Sequence, residues 1–94
     1  MNDYELTLIL DPDLTSEKQK NLLEKFKKLI EDGKGKLNNE EDWGKKEFAY
    51  PINKKKMGAY FLWEVKTSAV NIQQIDKKLK AEEDIMRHLI IKKE

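Results

Sequence analysis

The chain has 94 residues, 38% hydrophobic and 39% charged, with a formal net charge of +1; this fits one domain over residues 1–94, a modest core under an ionic surface, and excludes a two-domain enzyme. It contains no cysteine, which rules out a disulfide framework, a thiolate zinc site and a cysteine nucleophile. The start, Met1-Asn2-Asp3-Tyr4-Glu5, lacks a basic leader region and the longest apolar runs, 8–10 and 59–63, fall far short of a membrane span, so the expected compartment is the cytoplasm.

Residues 4–10 alternate, with Tyr4, Leu6, Leu8 and Leu10 on one side and Glu5, Thr7 and Ile9 on the other, which is the period of a strand. Asp11-Pro12-Asp13 breaks it. Thr15 or Ser16 can then cap a helix whose Leu22, Leu23, Phe26, Leu29 and Ile30 recur at helical spacing, ended by Asp32-Gly33 and a Lys34-Gly35 turn. Lys36 to Ile52 reads as a long, exposed edge strand, where Pro51 is tolerated because an edge need not donate on both sides. A lysine loop is expected at 53–56. After Gly58, residues 59–66 set Phe61, Trp63 and Val65 against Tyr60, Leu62 and Glu64, a central-strand pattern.

Thr67, Ser68 or Asn71 can cap a second helix with Ile72, Ile75 and Leu79 along one face. Residues 85–92 form a last strand, and periodicity does not say whether Met86, His88, Ile90 and Lys92 or Ile85, Arg87, Leu89 and Ile91 meet the helices. The order strand, helix, strand, strand, helix, strand is the α+β split βαβ arrangement known as ferredoxin-like, a four-stranded antiparallel sheet with two helices on one face. The other face is left to solvent or to a partner.

No catalytic constellation emerges, and no cofactor or metal is expected. His88 is the only histidine, which excludes a histidine-rich metal cluster, and neither Ser16 nor Ser68 stands in a nucleophile-elbow context. The carboxylate clusters Glu40-Glu41-Asp42 and Glu82-Glu83-Asp84 read as solvated charge. Gly33, Gly35, Gly44 and Gly58 match no phosphate-loop spacing.

Charge is unevenly spread: residues 1–16 carry −4 and residues 45–56 carry +4. In the second stretch Lys45, Lys46, Lys54, Lys55 and Lys56 are interleaved with Phe48 and Tyr50, just after Trp43. Lysines offer phosphate contacts and aromatics stacking surface, a pattern of nucleic-acid binding; a solvated edge strand guarded by lysines has the same composition.

Within that stretch, Glu41-Asp42-Trp43-Gly44-Lys45-Lys46 followed by Phe48-Ala49-Tyr50-Pro51-Ile52-Asn53-Lys54 resembles the signature of the bacterial small-subunit ribosomal protein number six family. Tyr4-Glu5, Asp11-Pro12-Asp13-Leu14, Gly58-x-Tyr60 and Ile85-Met86-Arg87-His88-Leu89 with Lys92 agree, so the resemblance spans essentially the whole chain. It implies a ferredoxin-like structural protein, not an enzyme, that binds the central domain of 16S rRNA as a heterodimer with small-subunit ribosomal protein eighteen. By position it implies RNA phosphate contacts at Lys45, Lys46, Lys54, Arg87 and Lys92, with Lys55 and Lys56 beside them. Trp43, Phe48, Tyr50 and Ile52 are expected to anchor the protein partner. Asn2-Asp3 stands where family members commonly carry a basic residue, and Phe48 where leucine is more common.

Three other readings use the same element order. An RNA-recognition motif would stack single-stranded bases on its central strands, but residues 58–63 fit its spacing imperfectly and Thr7 and Ile9 supply no matching aromatic. An acyl-phosphate hydrolase would need a phosphate-cradling loop where Asp11-Pro12-Asp13 stands. A regulatory dimer could bury the bare sheet face.

Overall fold

In the computed structural model, backbone is described for residues 1–52 and 55–93 and side chains for 1–48 and 55–93. The elements are β1 (Asn2–Leu10), α1 (Ser16–Asp32), β2 (Lys36–Ile52), β3 (Lys55–Thr67), α2 (Ala69–Ala81) and β4 (Ile85–Lys93). The sheet order is β2-β3-β1-β4 with every pair antiparallel, which is the expected ferredoxin-like arrangement.

Each helix begins where a hydroxyl can satisfy a free backbone N–H. Thr15 accepts from the Lys18 amide at 3.2 Å to open α1. Of the three candidate caps for α2 it is Ser68 that acts, accepting from the Asn71 amide at 3.1 Å. Leu22, Phe26 and Ile30 of α1 and Ile72, Ile75 and Leu79 of α2 are buried. They cover one face of the sheet, where Tyr4, Leu6, Leu8 and Leu10 stand opposite Val65, Trp63, Phe61 and Ala59. Burying these two matched rows supplies the main driving force of folding.

Register settles the last strand. Leu6 pairs with Ile90 and Leu8 with His88, so these share the helix-covered face, while Thr7 pairs with Leu89 and Ile9 with Arg87 on the open face. Lys92, opposite Tyr4, lies on the helix side of the sheet. Arg87 and Lys92 are thus on opposite faces.

One local expectation changes. Lys55 and Lys56 are not in a loop: β3 starts at Lys55 and pairs with β2 as far as Ile52 opposite Lys55. β2 outruns β1, so the hairpin continues past Leu10 as a two-stranded ribbon, where backbone pairing is satisfied and lysines stay in water. In the turn after α1 the left-handed residue is Lys34, φ 63°, rather than either flanking glycine.

Candidate nucleic-acid interface

The site builds from the ribbon inward. Successive strand residues face opposite ways, so the adjacent lysines of the signature separate: Lys45 stands opposite buried Ala59 on the helix side, and Lys46 opposite Gly58 on the open face. Lys55 and Lys56 divide in the same way. Lys55 reaches Asp13 in the β1–α1 connection and lies 3.5 Å from Asp11. The hydrogen bond from Lys55 holds the Asp13 carboxyl below its usual range, and the same bond raises Lys55. Lys56 is exposed on the open face with Lys46.

Gly58 allows these strands to be crossed by an aromatic. A Cβ there would come within 2.5 Å of Ile9 Cγ2 and 2.7 Å of Phe48 Cζ, so the Phe48 ring closes over bare backbone toward Ile9. Phe48 also lies 6.0 Å from the Tyr60 ring, tilted at 46°. Ile9 consequently is only 8% exposed although it belongs to the open face. Next to this cluster, Arg87 is paired with Ile9 across β4.

Trp43 is the exposed aromatic of the site, at 47%. It sits in a β2 irregularity between Asp42 and Gly44, whose φ is 73°. Its indole N–H donates to Glu41 at 3.2 Å, and Lys46 Nζ lies 5.0 Å from its ring centroid. Phe48 is only partly exposed. Tyr50 and Ile52 lie in β2, but their side chains are outside the described residues, as is Lys54 altogether.

One end of the open face therefore carries Lys46, Lys56 and Arg87 around Phe48, Tyr60 and Ile9. Among the described residues, its carboxylates run from Glu41 opposite Leu62, near the middle, to Asp3, Glu5 and Glu64 at the other end. There Lys93 is 2.6 Å from Glu64, a hydrogen bond that raises the lysine. Sequence reasoning missed Ile9, Gly58 and Tyr60 as parts of the site. The available signal was a glycine inside a strand pattern, which marks a close approach. Exposed Leu89 and Ile91 on the same face were also missed as surface features. Among the described residues no group of three or more His, Cys, Asp or Glu side chains could hold a metal ion.

The profile of the family described as Ribosomal protein S6 matches residues 3–92. The chain belongs to the ribosomal protein S6 family. It is 35% identical over 94 residues to small ribosomal subunit protein bS6 of Carboxydothermus hydrogenoformans, covering 100% of this chain and 98% of that one. With the bS6 of Thermoanaerobacter pseudethanolicus it shares 38% identity over 92 residues, 98% and 97% of the two chains. The crystal structure of 30S ribosomal protein S6 from Thermotoga maritima superposes with a TM-score of 0.92 at 30% identity, covering 98% of this chain and 87% of that one. As an S6 protein it is a structural, RNA-binding component of the small ribosomal subunit in the cytoplasm, and not an enzyme. Among the described residues no helix is long and apolar enough to cross a membrane.

Proposed function

We infer that this S6 chain acts as one domain over residues 1–94, docks on the central domain of 16S rRNA together with small-subunit ribosomal protein eighteen, and does so through the basic end of its open sheet face. The observation that carries the reading is that Lys46, Lys56 and Arg87 stand at one end of that face with no carboxylate beside them among the described residues, whereas at the other end Lys36, Lys66 and Lys93 are balanced by Asp3, Glu5 and Glu64. These three are the phosphate contacts; Lys45 and Lys92, exposed on the helix side, extend the rim, and Lys54, outside the described residues, is added on the sequence motif alone. Lys55 enters only by leaving Asp11 and Asp13. Trp43 anchors the protein partner, with Phe48, Tyr50 and Ile52 farther along the same strand.

A net charge of +1 supports this division of labour: so few phosphate contacts give weak, salt-sensitive binding alone, and a heterodimer pools them. The test titrates the purified chain into a central-domain rRNA fragment at two salt concentrations, with and without protein eighteen. Tight, salt-sensitive binding only with protein eighteen is expected. Tight binding by the chain alone to an unrelated single strand would replace this reading with base stacking, for which the Phe48–Tyr60 pair on the open face is the supporting feature.

A further inference from the structure

The basic end of the sheet is charged differently on its two sides. Lys46, Lys56 and Arg87 share the open face there with no carboxylate beside them among the described residues. On the helix side, Lys45 and Lys55 stand with Glu47, which is opposite Met57, and with Asp11 and Asp13 of the β1–α1 connection. Asp11 and Asp13 turn to one cation: Lys55 donates a hydrogen bond to Asp13 and lies 3.5 Å from Asp11 Oδ1.

The turn that carries the two carboxylates is held by its own bonds. The Asp11 amide donates to the Asp84 carbonyl at 2.9 Å, the Leu14 amide to the Asp11 carbonyl at 3.3 Å, and the Asp13 amide to Asp11 Oδ1 at 2.9 Å; Pro12 between them has a fixed φ. Oxygens of two carboxylates therefore converge on the Lys55 ammonium much as phosphate oxygens would. The side chains of Asp13 and Lys55 are 72% and 37% exposed, and an ion pair so open to water adds little to stability. What it changes is the charge available to a polyanion.

We propose that Asp11 and Asp13 are specificity-determining residues for rRNA docking: by occupying Lys55 they withhold the helix side of the ribbon from phosphate, so that the open face is the side that engages an RNA backbone. This rests on the rRNA-docking reading, in which Lys46, Lys56 and Arg87 make the phosphate contacts. A phosphate at Lys55 must displace carboxylates, whereas at Lys56, the next residue, no described carboxylate stands in the way. Asp11→Asn with Asp13→Asn removes both charges and keeps a side-chain oxygen at position 11 to accept the amide of residue 13.

Acetylation of surface lysines, read residue by residue by mass spectrometry, tests masking and docking separately. In the free full-length chain Lys55 should react several-fold more slowly than Lys56, because its hydrogen bond to Asp13 raises its pKa and keeps it protonated; the double variant should abolish the difference. With a central-domain rRNA fragment and protein eighteen added, Lys46 and Lys56 of the parent should be protected and Lys55 unaffected. In the variant Lys55 should become protected as well, and the slope of log affinity against log salt should steepen by about 1. Equal rates at Lys55 and Lys56 in the free parent, or no new protection of Lys55 in the variant, overturns the proposal. Absence of protection at Lys46 and Lys56 in the parent overturns the docking reading, and the face preference with it, while the free-chain rates still report whether Lys55 is masked.

Discussion

His88 Nε2 lies 2.7 Å from Asp76 Oδ1, tying α2 to the edge strand β4. An ionised carboxylate only accepts, so Nε2 carries the proton of this bond. Lys80 reaches the other oxygen of Asp76 at 3.1 Å from one turn along the helix. The two donors, His88 first and Lys80 second, hold the Asp76 carboxyl below its ordinary value of 3.8. The lone histidine of the chain thus joins two elements.

A depressed native pKa means that the unfolded state binds the proton more readily, so this contribution is whole above pH 3.8 and drains away as pH falls through the lowered native value. Asp13, lowered by Lys55, acts with the same sign. Asp76→Asn should therefore be less stable than the parent near neutrality and should lose less stability on acidification, the two curves converging at low pH. Urea midpoints measured from pH 7 down to pH 2 check this; parallel curves would mean that Asp76 contributes nothing.

Lys46 and Lys55 test whether the open face or the ribbon as a whole meets RNA. Lys46 stands on the open face beside Trp43, whereas Lys55 is held by Asp11 and Asp13 on the helix side. Lys46→Gln should lower the slope of log affinity against log salt by about 1, the signature of one lost phosphate contact. Lys55→Gln should leave that slope nearly unchanged. The readout is rRNA-fragment binding with protein eighteen present, across a salt series.

Most of the fold was legible in the sequence because each element carries its own period and stop signal. Thr15 and Ser68 mark helix starts by local chemistry, and Tyr4, Leu6, Leu8 and Leu10 mark a buried strand face by alternation. What was not legible depended on register. The faces of β4 follow from Leu8 pairing with His88 and Ile9 with Arg87, a relation between distant segments that no window of sequence contains. For the same reason Lys45, Lys46, Lys55 and Lys56 read as one basic cluster, although the pleat sends alternate members to opposite faces. The capture of Lys55 by Asp11 and Asp13 brings the acidic start of the chain against its basic middle, a contact that the charge asymmetry hinted at without locating.

Phe26 anchors α1 to the sheet at 1% exposure, in a core with Leu22, Ile30 and Trp63. Phe26→Ala removes the ring and leaves a cavity that the surrounding side chains fill only in part, which should cost about 3–5 kcal/mol. Denaturant unfolding followed by Trp fluorescence measures it. A loss below about 1 kcal/mol, the range of exposed substitutions, would place the ring outside the core.

Gly58 separates the role of the open-face cluster from that of the core. An added methyl would meet Ile9 Cγ2, a methyl fixed on Cβ, at 2.5 Å and Phe48 Cζ, the far end of its ring, at 2.7 Å. Phe48, half-exposed on an edge strand, can swing outward; Ile9, on a central strand, has less room. Gly58→Ala should therefore cost about 1–3 kcal/mol, as overpacking does, and should displace Phe48 from Tyr60 without unfolding the sheet. The expected pattern is a modest drop in the denaturant midpoint, unchanged backbone circular dichroism, and weaker assembly with protein eighteen because Phe48, one of the proposed partner anchors, has moved. An unchanged midpoint with normal assembly would show that Phe48 does not close over Gly58 in solution.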